Sequence, residues 1–259
     1  MVQDALEGWD DRAVHPALIL TAYRGLNEEM IANAARLYIR GGATVLDCTY
    51  SEGRFWRKTD TSRFRLVGSD IRPVASIQAD MRQLPYRSSC ADVIVLDPPY
   101  VHSTTQPRHI EQQYANRHTT MGKTHGEITD LYRAGLLEAW RVLRPGGLCW
   151  VKCQDTVEGR RQQWMVVTLH LAALELGFSA QDMFVVMTGN PPGRQTAERQ
   201  FHARRNHSYL WVFARPRAPS SVGAPELHPP GSSAPGSACS GRRSNVIHRG
   251  YPSVYRPVT

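Results

Sequence analysis

Hydrophobic and polar positions alternate in two different rhythms along this chain. Over 26–40 (LNEEMIANAARLYIR), Met30, Ile31, Ala34, Ala35, Leu37 and Tyr38 recur at helical spacing, with Asn27 as the expected N-cap and Gly41-Gly42 as the stop. Short apolar runs follow, and each ends on an acid: ATVLDC on Asp47, RLVGSD on Asp70, ASIQAD on Asp80 and ADVIVLD on Asp97. These predict four strands. A helix is expected over 127–143, closed by Arg144-Pro145-Gly146-Gly147, then a strand over 148–153, a helix over 160–176 stopped by Gly177, and strands over 180–187 and 207–213.

Strands alternating with helices predict an α/β fold with a Rossmann-like, seven-stranded, mostly parallel sheet. The last two strands, joined without a helix, are expected as an antiparallel pair at its edge. In such a sheet ligands bind outside the carboxyl ends of the strands. One strand-end acid can simply cap a following helix, but four in succession place a carboxylate-lined rim at the ligand end.

Composition divides the chain. The formal net charge is +8, but from Pro216 onward the sequence is rich in Pro, Ser and Gly and holds five arginines against Glu226, so half of the excess belongs to the tail. The expected organisation is an N-terminal arm over 1–13, one domain over 14–215 and a disordered tail over 216–259. Five cysteines without a C-x-x-C pair predict a reduced chain with no structural zinc or other metal. The acidic start MVQDALEGWDD lacks an apolar export segment and no run is long enough for a membrane span, so the expectation is a cytoplasmic protein without an obligate protein partner. Cys149 and Cys153, and Trp140, Trp164 and Trp211, are expected in the core.

The segment VIVLDPPYVH carries the chemistry. A buried strand finishes on Asp97 and meets Pro98, Pro99 and Tyr100. DPPY resembles the catalytic motif of class I S-adenosylmethionine (SAM)-dependent amino-methyltransferases, which modify adenine N6 or cytosine N4 in DNA. The resemblance extends over 14–214. VLDCTYSEGRFW stands where that family has D-P-F-x-G-S-G-T; Asp47 and Gly53 match, whereas Cys48 and Thr49 replace Pro-Phe and Ser51 replaces the first glycine.

The resemblance implies SAM as cofactor, with Asp47, Cys48, Thr49 and Gly53 under its amino-acid end, Asp70 and Ile71 at the ribose, and Asp80-Met81 at the adenine. His15-Pro16 resembles the segment that closes over the methionine moiety. Asp97 and the Pro98 carbonyl would draw the lone pair of a base amine out of conjugation, Pro99 would stiffen the turn, and Tyr100 would stack on the base.

Two basic stretches are candidates for phosphate contact. One is 101–126, with Arg108, Arg117 and Lys123; the other is 189–206, with Arg194, Arg199, Arg204 and Arg205. A flipped adenine in DNA is the preferred substrate. The alternatives are N6-adenine or N2-guanine in RNA, cytosine N4 in DNA, and nucleotide binding without catalysis. Lys152 and Asp155, near the end of the fifth strand, are further candidates for substrate contact.

Overall fold

The computed structural model describes residues 18–99, 124–187, 202–203 and 205–217. In chain order the elements are β1 (Ala22–Arg24), α1 (Asn27–Tyr38), β2 (Thr44–Asp47), β3 (Arg65–Asp70), β4 (Ile77–Gln78), β5 (Ala91–Leu96), α2 (His125–Val142), β6 (Leu143–Cys153), β7 (Thr156–Glu158), β8 (Arg161–Gln163), α3 (Met165–Glu175), β9 (Ser179–Met187) and β10 (His207–Ala214). Two single-turn 3-10 helices, Arg54–Trp56 and Thr61–Arg63, lie between β2 and β3.

Eight strands form one sheet in the order β1-β9-β10-β6-β5-β2-β3-β4. Only β10 runs antiparallel to its neighbours. This is the Rossmann-like, mostly parallel α/β sheet that the sequence predicts, with two differences from the expected arrangement. The pair β9–β10 is antiparallel as expected, but β10 slots between β9 and β6, and the short β1 adds an eighth strand outside β9.

Side-chain alternation sorts the core into two layers. Leu46, Ile94, Leu96, Cys149, Val151, Cys153 and Phe213 pack with the buried side of α2 and α3. Val45, Val93, Val95, Trp150, Leu210, Val212, Phe184 and Val186 pack with Met30, Ile31, Ala34 and Ala35 of α1. Strands buried on both faces lose the polar–apolar alternation of a half-exposed sheet, which is why they read as continuous apolar runs.

Local differences from the sequence expectation have physical causes. At the start of α1 the N-cap is Leu26 rather than Asn27; Leu26 offers no side-chain acceptor, and the Glu29 carboxylate reaches back to its N–H (2.8 Å), the half of a capping box that needs no polar cap. The expected helix over 160–176 begins only at Met165. Before it, β7 and β8 form a hairpin about Gly159 and Arg160, whose φ values of 53° and 63° both lie in the left-handed region that a two-residue primed turn requires. Trp164, at the N-cap of α3, is 58% exposed rather than in the core.

At the amino end of the sheet, Asp92 joins three segments. Its Oδ2 accepts from the Thr44 N–H (2.8 Å), and Arg144 Nη1 donates to both Oδ1 and Oδ2 (2.8 and 2.9 Å). The chain then turns into the interior of β6 through Gly147, where a Cβ would stand 2.9 Å from the Arg144 carbonyl oxygen and 3.0 Å from that of Asp92. Both obstacles are backbone, so neither can rotate away. Gly147→Ala is expected to lower unfolding free energy by about 1–3 kcal/mol, measured by urea denaturation; an unchanged midpoint would show that the turn can yield.

Candidate active site

Strand order reverses between β2 and β5, since β3 and β4 extend the sheet one way and β6 the other. The loops leaving these two strands flank the crevice where doubly wound sheets bind ligands. They are fastened to each other at their origin. The Cys48 N–H donates to the Val95 carbonyl (3.0 Å), and the Asp97 N–H donates to Thr49 Oγ1 (2.8 Å).

Asp47, the last residue of β2, is 2% exposed. Its Oδ1 accepts from the Thr49 N–H (3.0 Å) and from Thr49 Oγ1 (3.4 Å), and its Oδ2 accepts from the indole N–H of Trp56 (2.8 Å). Burial drives its carboxyl up to about 7, against the lowering effect of these donors, and the neighbouring Asp97 charge adds to the rise. Asp47 therefore works inward: its hydrogen bonds shape the loop that follows it.

That loop adopts the conformation its glycine-poor sequence disfavours. Gly53 has φ 69°, and Ser51, in place of the first glycine of the resembled motif, has φ 48°. A left-handed serine costs of order 1 kcal/mol, and two contacts hold it. Its N–H donates to Asp70 Oδ2 (2.9 Å), and its Oγ accepts from Arg72 Nη2 (2.7 Å).

Asp70, at the end of β3, also accepts from the Arg72 N–H (2.9 Å) and Nε (3.2 Å) on Oδ1. Among the described residues its Oδ2 accepts from Ser51, and a carboxylate oxygen can accept two bonds, so it can take a further donor there. Ile71 follows it, half-buried. Asp80 lies farther out and is clasped by Arg82, whose guanidinium and N–H hold its carboxyl below the ordinary range against a raising effect of burial. Met81 is 5% exposed and sits in the core, where its Cε closes over Gly135 of α2.

Asp97 differs from the other three acids. Its Oδ1 is sealed from solvent and meets no hydrogen-bond donor among the described residues. Burial raises its carboxyl to about 6, and the positive charge of Lys152 opposes that rise. Lys152 is itself fully buried at the end of β6, its Nζ donating to Ser208 Oγ (2.7 Å) on β10. Burial lowers its ammonium and the Asp97 charge resists the fall.

On the opposite face of the sheet, Asp155 accepts from the Val166 N–H (3.0 Å), starting α3, and from Tyr209 OH (3.4 Å). The Tyr209 hydroxyl is pushed up to about 12, first by burial and then by Asp155. Arg205 lies near Tyr209 and donates to the Ala203 carbonyl (3.0 Å).

The structure thus brings Asp47, Thr49, Gly53, Asp70 and Asp97 to one crevice, sets Asp80 at its outer side and leaves Met81 beneath α2. Pro98 and Pro99 continue directly from Asp97. His15, Pro16, Tyr100, Arg108, Arg117, Lys123, Arg194, Arg199 and Arg204 lie outside the described residues. Sequence reasoning missed Trp56, Ser51, Arg72 and Arg82 as partners of the acids, and Ser208 as the partner of Lys152. Among the polar neighbours of Asp97, Lys152 carried a readable signal, being a lysine inside the apolar run LCWVKC.

No protein-family model matches the chain, and no curated protein matches it. Among solved structures it is similar to a SAM-dependent methyltransferase from Methanosarcina mazei (9% identity, TM-score 0.44, covering 71% of this chain and 97% of that one). It is also similar to TrmN from Thermus thermophilus (17%, 0.44, covering 73% and 48%) and to the [4+2]-cyclase SpnF (12%, 0.48, covering 74% and 81%). Similarity at this distance leaves the activity to be argued from the chain's own residues.

Those residues fit a nucleoside-bearing cofactor and an amine. Asp70 Oδ2 can accept a further bond beside the loop, and Asp97 Oδ1 is a buried acceptor that no donor meets among the described residues. Such an unmet acceptor is costly in a folded protein and often marks function.

The burial of Asp97 has a measurable consequence. Its folded-state value of about 6 lies above the ordinary 3.8, so the folded protein holds this proton more tightly than the unfolded chain. Stability from this group is present below pH 4 and is lost as pH rises through 6. Relative to Asp97→Asn, the wild-type protein is therefore expected to lose about 1–3 kcal/mol between pH 4 and pH 7, at about 1.4 kcal/mol per pKa unit. Parallel urea titrations check this; stability curves of the two proteins that stay parallel across that range would contradict it.

Proposed function

We propose that this protein is a SAM-dependent methyltransferase that modifies an exocyclic base amine, with adenine N6 in DNA as its substrate. The observation that carries the reading is the Asp97 carboxylate, buried and with no donor to its Oδ1 among the described residues, at the head of Asp-Pro-Pro-Tyr in the crevice where the strand order reverses.

An exocyclic amine is a weak nucleophile because its lone pair is delocalised into the ring. Asp97 Oδ1 accepts one amine hydrogen and the Pro98 carbonyl the other, which favours a tetrahedral nitrogen with its lone pair free. Because Pro98 and Pro99 have fixed φ, the two acceptors are held in place before the base arrives. The Thr49 hydroxyl, bonded to the Asp97 N–H, ties that turn to the cofactor loop. Tyr100 would supply the stacking surface.

Bound SAM would supply an electrophilic methyl group. Asp70 Oδ2 would accept from its ribose hydroxyls, Asp80 would meet the adenine amine, and Ser51 and Gly53 would present the loop backbone. After transfer the nitrogen sheds a proton, and a carboxylate with a value near 6 can take it up and release it near neutral pH.

DNA is the assigned polyanion because DPPY together with His15-Pro16 resembles the DNA enzymes, and adenine because the motif opens on Asp97. Arg108, Arg117, Lys123, Arg194, Arg199, Arg204 and Arg205 are the proposed phosphate contacts.

Incubation with tritiated SAM and either duplex DNA or total RNA, followed by mass spectrometry of nucleosides, tests the reading. The expected product is N6-methyladenine from the duplex; label found only in RNA would reassign the substrate. Asp97→Ala is expected to reduce transfer about a hundredfold to a thousandfold while calorimetric SAM affinity stays within a few fold. An equal loss of binding would show that Asp97 serves the cofactor instead.

A further inference from the structure

Strand alternation places a row of polar side chains on the face of the sheet covered by α1. Val45, Val93, Val95, Trp150 and Leu210 all belong to that layer. Two residues after Val45 comes Asp47, two after Val95 comes Asp97, two after Trp150 comes Lys152, and two before Leu210 stands Ser208. Leu96 and Val151 are register partners across β5 and β6, so Asp97 and Lys152 follow side by side on adjacent parallel strands. The row reads acid, acid, ammonium, hydroxyl across four neighbouring strands, and it runs directly under the crevice.

A fully buried lysine is rare unless a partner compensates it. Ser208 compensates a hydrogen-bond donor but carries no charge. The helix covering this face buries only Met30, Ile31, Ala34 and Ala35. Cys153, also close enough to act on Lys152, has its thiol driven upward by burial and is neutral. Asp155 and Tyr209 belong to the other face with Cys153. Among the described residues, Asp97 stands beside the ammonium and the two charges act on each other, while Asp47 lies one strand farther and accepts from Thr49 and Trp56.

We infer that Lys152 is a positioning residue that keeps the Asp97 carboxylate ionised at neutral pH, so that an acceptor sealed from water can still receive a hydrogen from the substrate amine. The inference rests on the proposed amine-methylating role of Asp97. Lys152 touches neither substrate nor cofactor; it acts through the charge of its neighbour. A carboxyl group in the same place without that cation would be protonated, and its OH would then be a donor facing the donors of the amine.

Carbon-13 NMR of protein labelled at aspartate carboxyls, with the Asp97 resonance assigned from Asp97→Asn, follows this charge without any turnover. In Lys152→Gln, which still donates to Ser208 but has lost the charge, the Asp97 titration is expected to move up by about one to three pH units. Lys152→Met should do the same, and serves if the glutamine variant does not fold. The acid limb of the methyl-transfer pH profile should move upward with it. A double-mutant cycle in thermal unfolding at pH 7.5 gives a reading independent of the label. Lys152→Met alone should lower Tm by several degrees, and adding Asp97→Asn should restore much of the loss, because a lone buried charge costs more than a neutral pair.

An Asp97 titration that does not move, together with additive Tm changes, overturns the inference. Failure of the wild-type protein to methylate any nucleic acid, with the titration still moved by Lys152, would remove the proposed reaction and leave the charge pairing in place. Methyl transfer with an Asp97 titration indifferent to Lys152 would do the reverse.

Discussion

Taking a carboxylate out of water is costly unless donors or an opposite charge replace the lost hydration, and this constraint orders the ligand end of the sheet. Three acids lie buried or nearly so at adjacent strand ends, and each is compensated differently. Asp47 is met by Thr49 and Trp56, Asp70 by Ser51 and Arg72, and Asp97 by the charge of Lys152. The first two solutions use hydrogen bonds and so shape backbone. For the third, Lys152 supplies charge, and no donor meets Asp97 Oδ1 among the described residues.

The loop after β2 follows from the same constraint. It keeps Gly53 but has a serine at the first glycine position of the resembled motif, and Ser51 takes a positive φ while its N–H and hydroxyl complete the hydrogen bonding around Asp70 and Arg72. Compensation of a buried acid here offsets local backbone strain. The loop is consequently coupled to β3 through Asp70 and to β5 through Thr49, so a change at any of these side chains reaches both the proposed ribose contact and the DPPY turn.

The two faces of the sheet divide the work. On the α1 face run Asp47, Asp97, Lys152 and Ser208; on the other, Asp155 starts α3 and bonds Tyr209. Inserting β10 between β6 and β9 is what brings Ser208 next to Lys152, since a sheet with β10 at its margin would leave the ammonium without that oxygen.

The sequence by itself determined α1, the strands β2, β3, β5, β9 and β10, and the acids at or just past the ends of β2, β3 and β5, because an apolar run and a terminal charge carry their meaning locally. It also determined the interior placement of Cys149 and Cys153. The partners of the acids were decided only by the tertiary structure. Trp56 reaches Asp47 across the loop, Asp70 takes Arg72 on Oδ1 and Ser51, nineteen residues away, on Oδ2, and the buried Lys152 finds Ser208 fifty-six residues away. No periodicity encodes such pairings, since they arise from strand order and register. The hairpin at Gly159-Arg160 and the exposure of Trp164 belong to the same class, being set by where β6 ends and α3 can begin to pack.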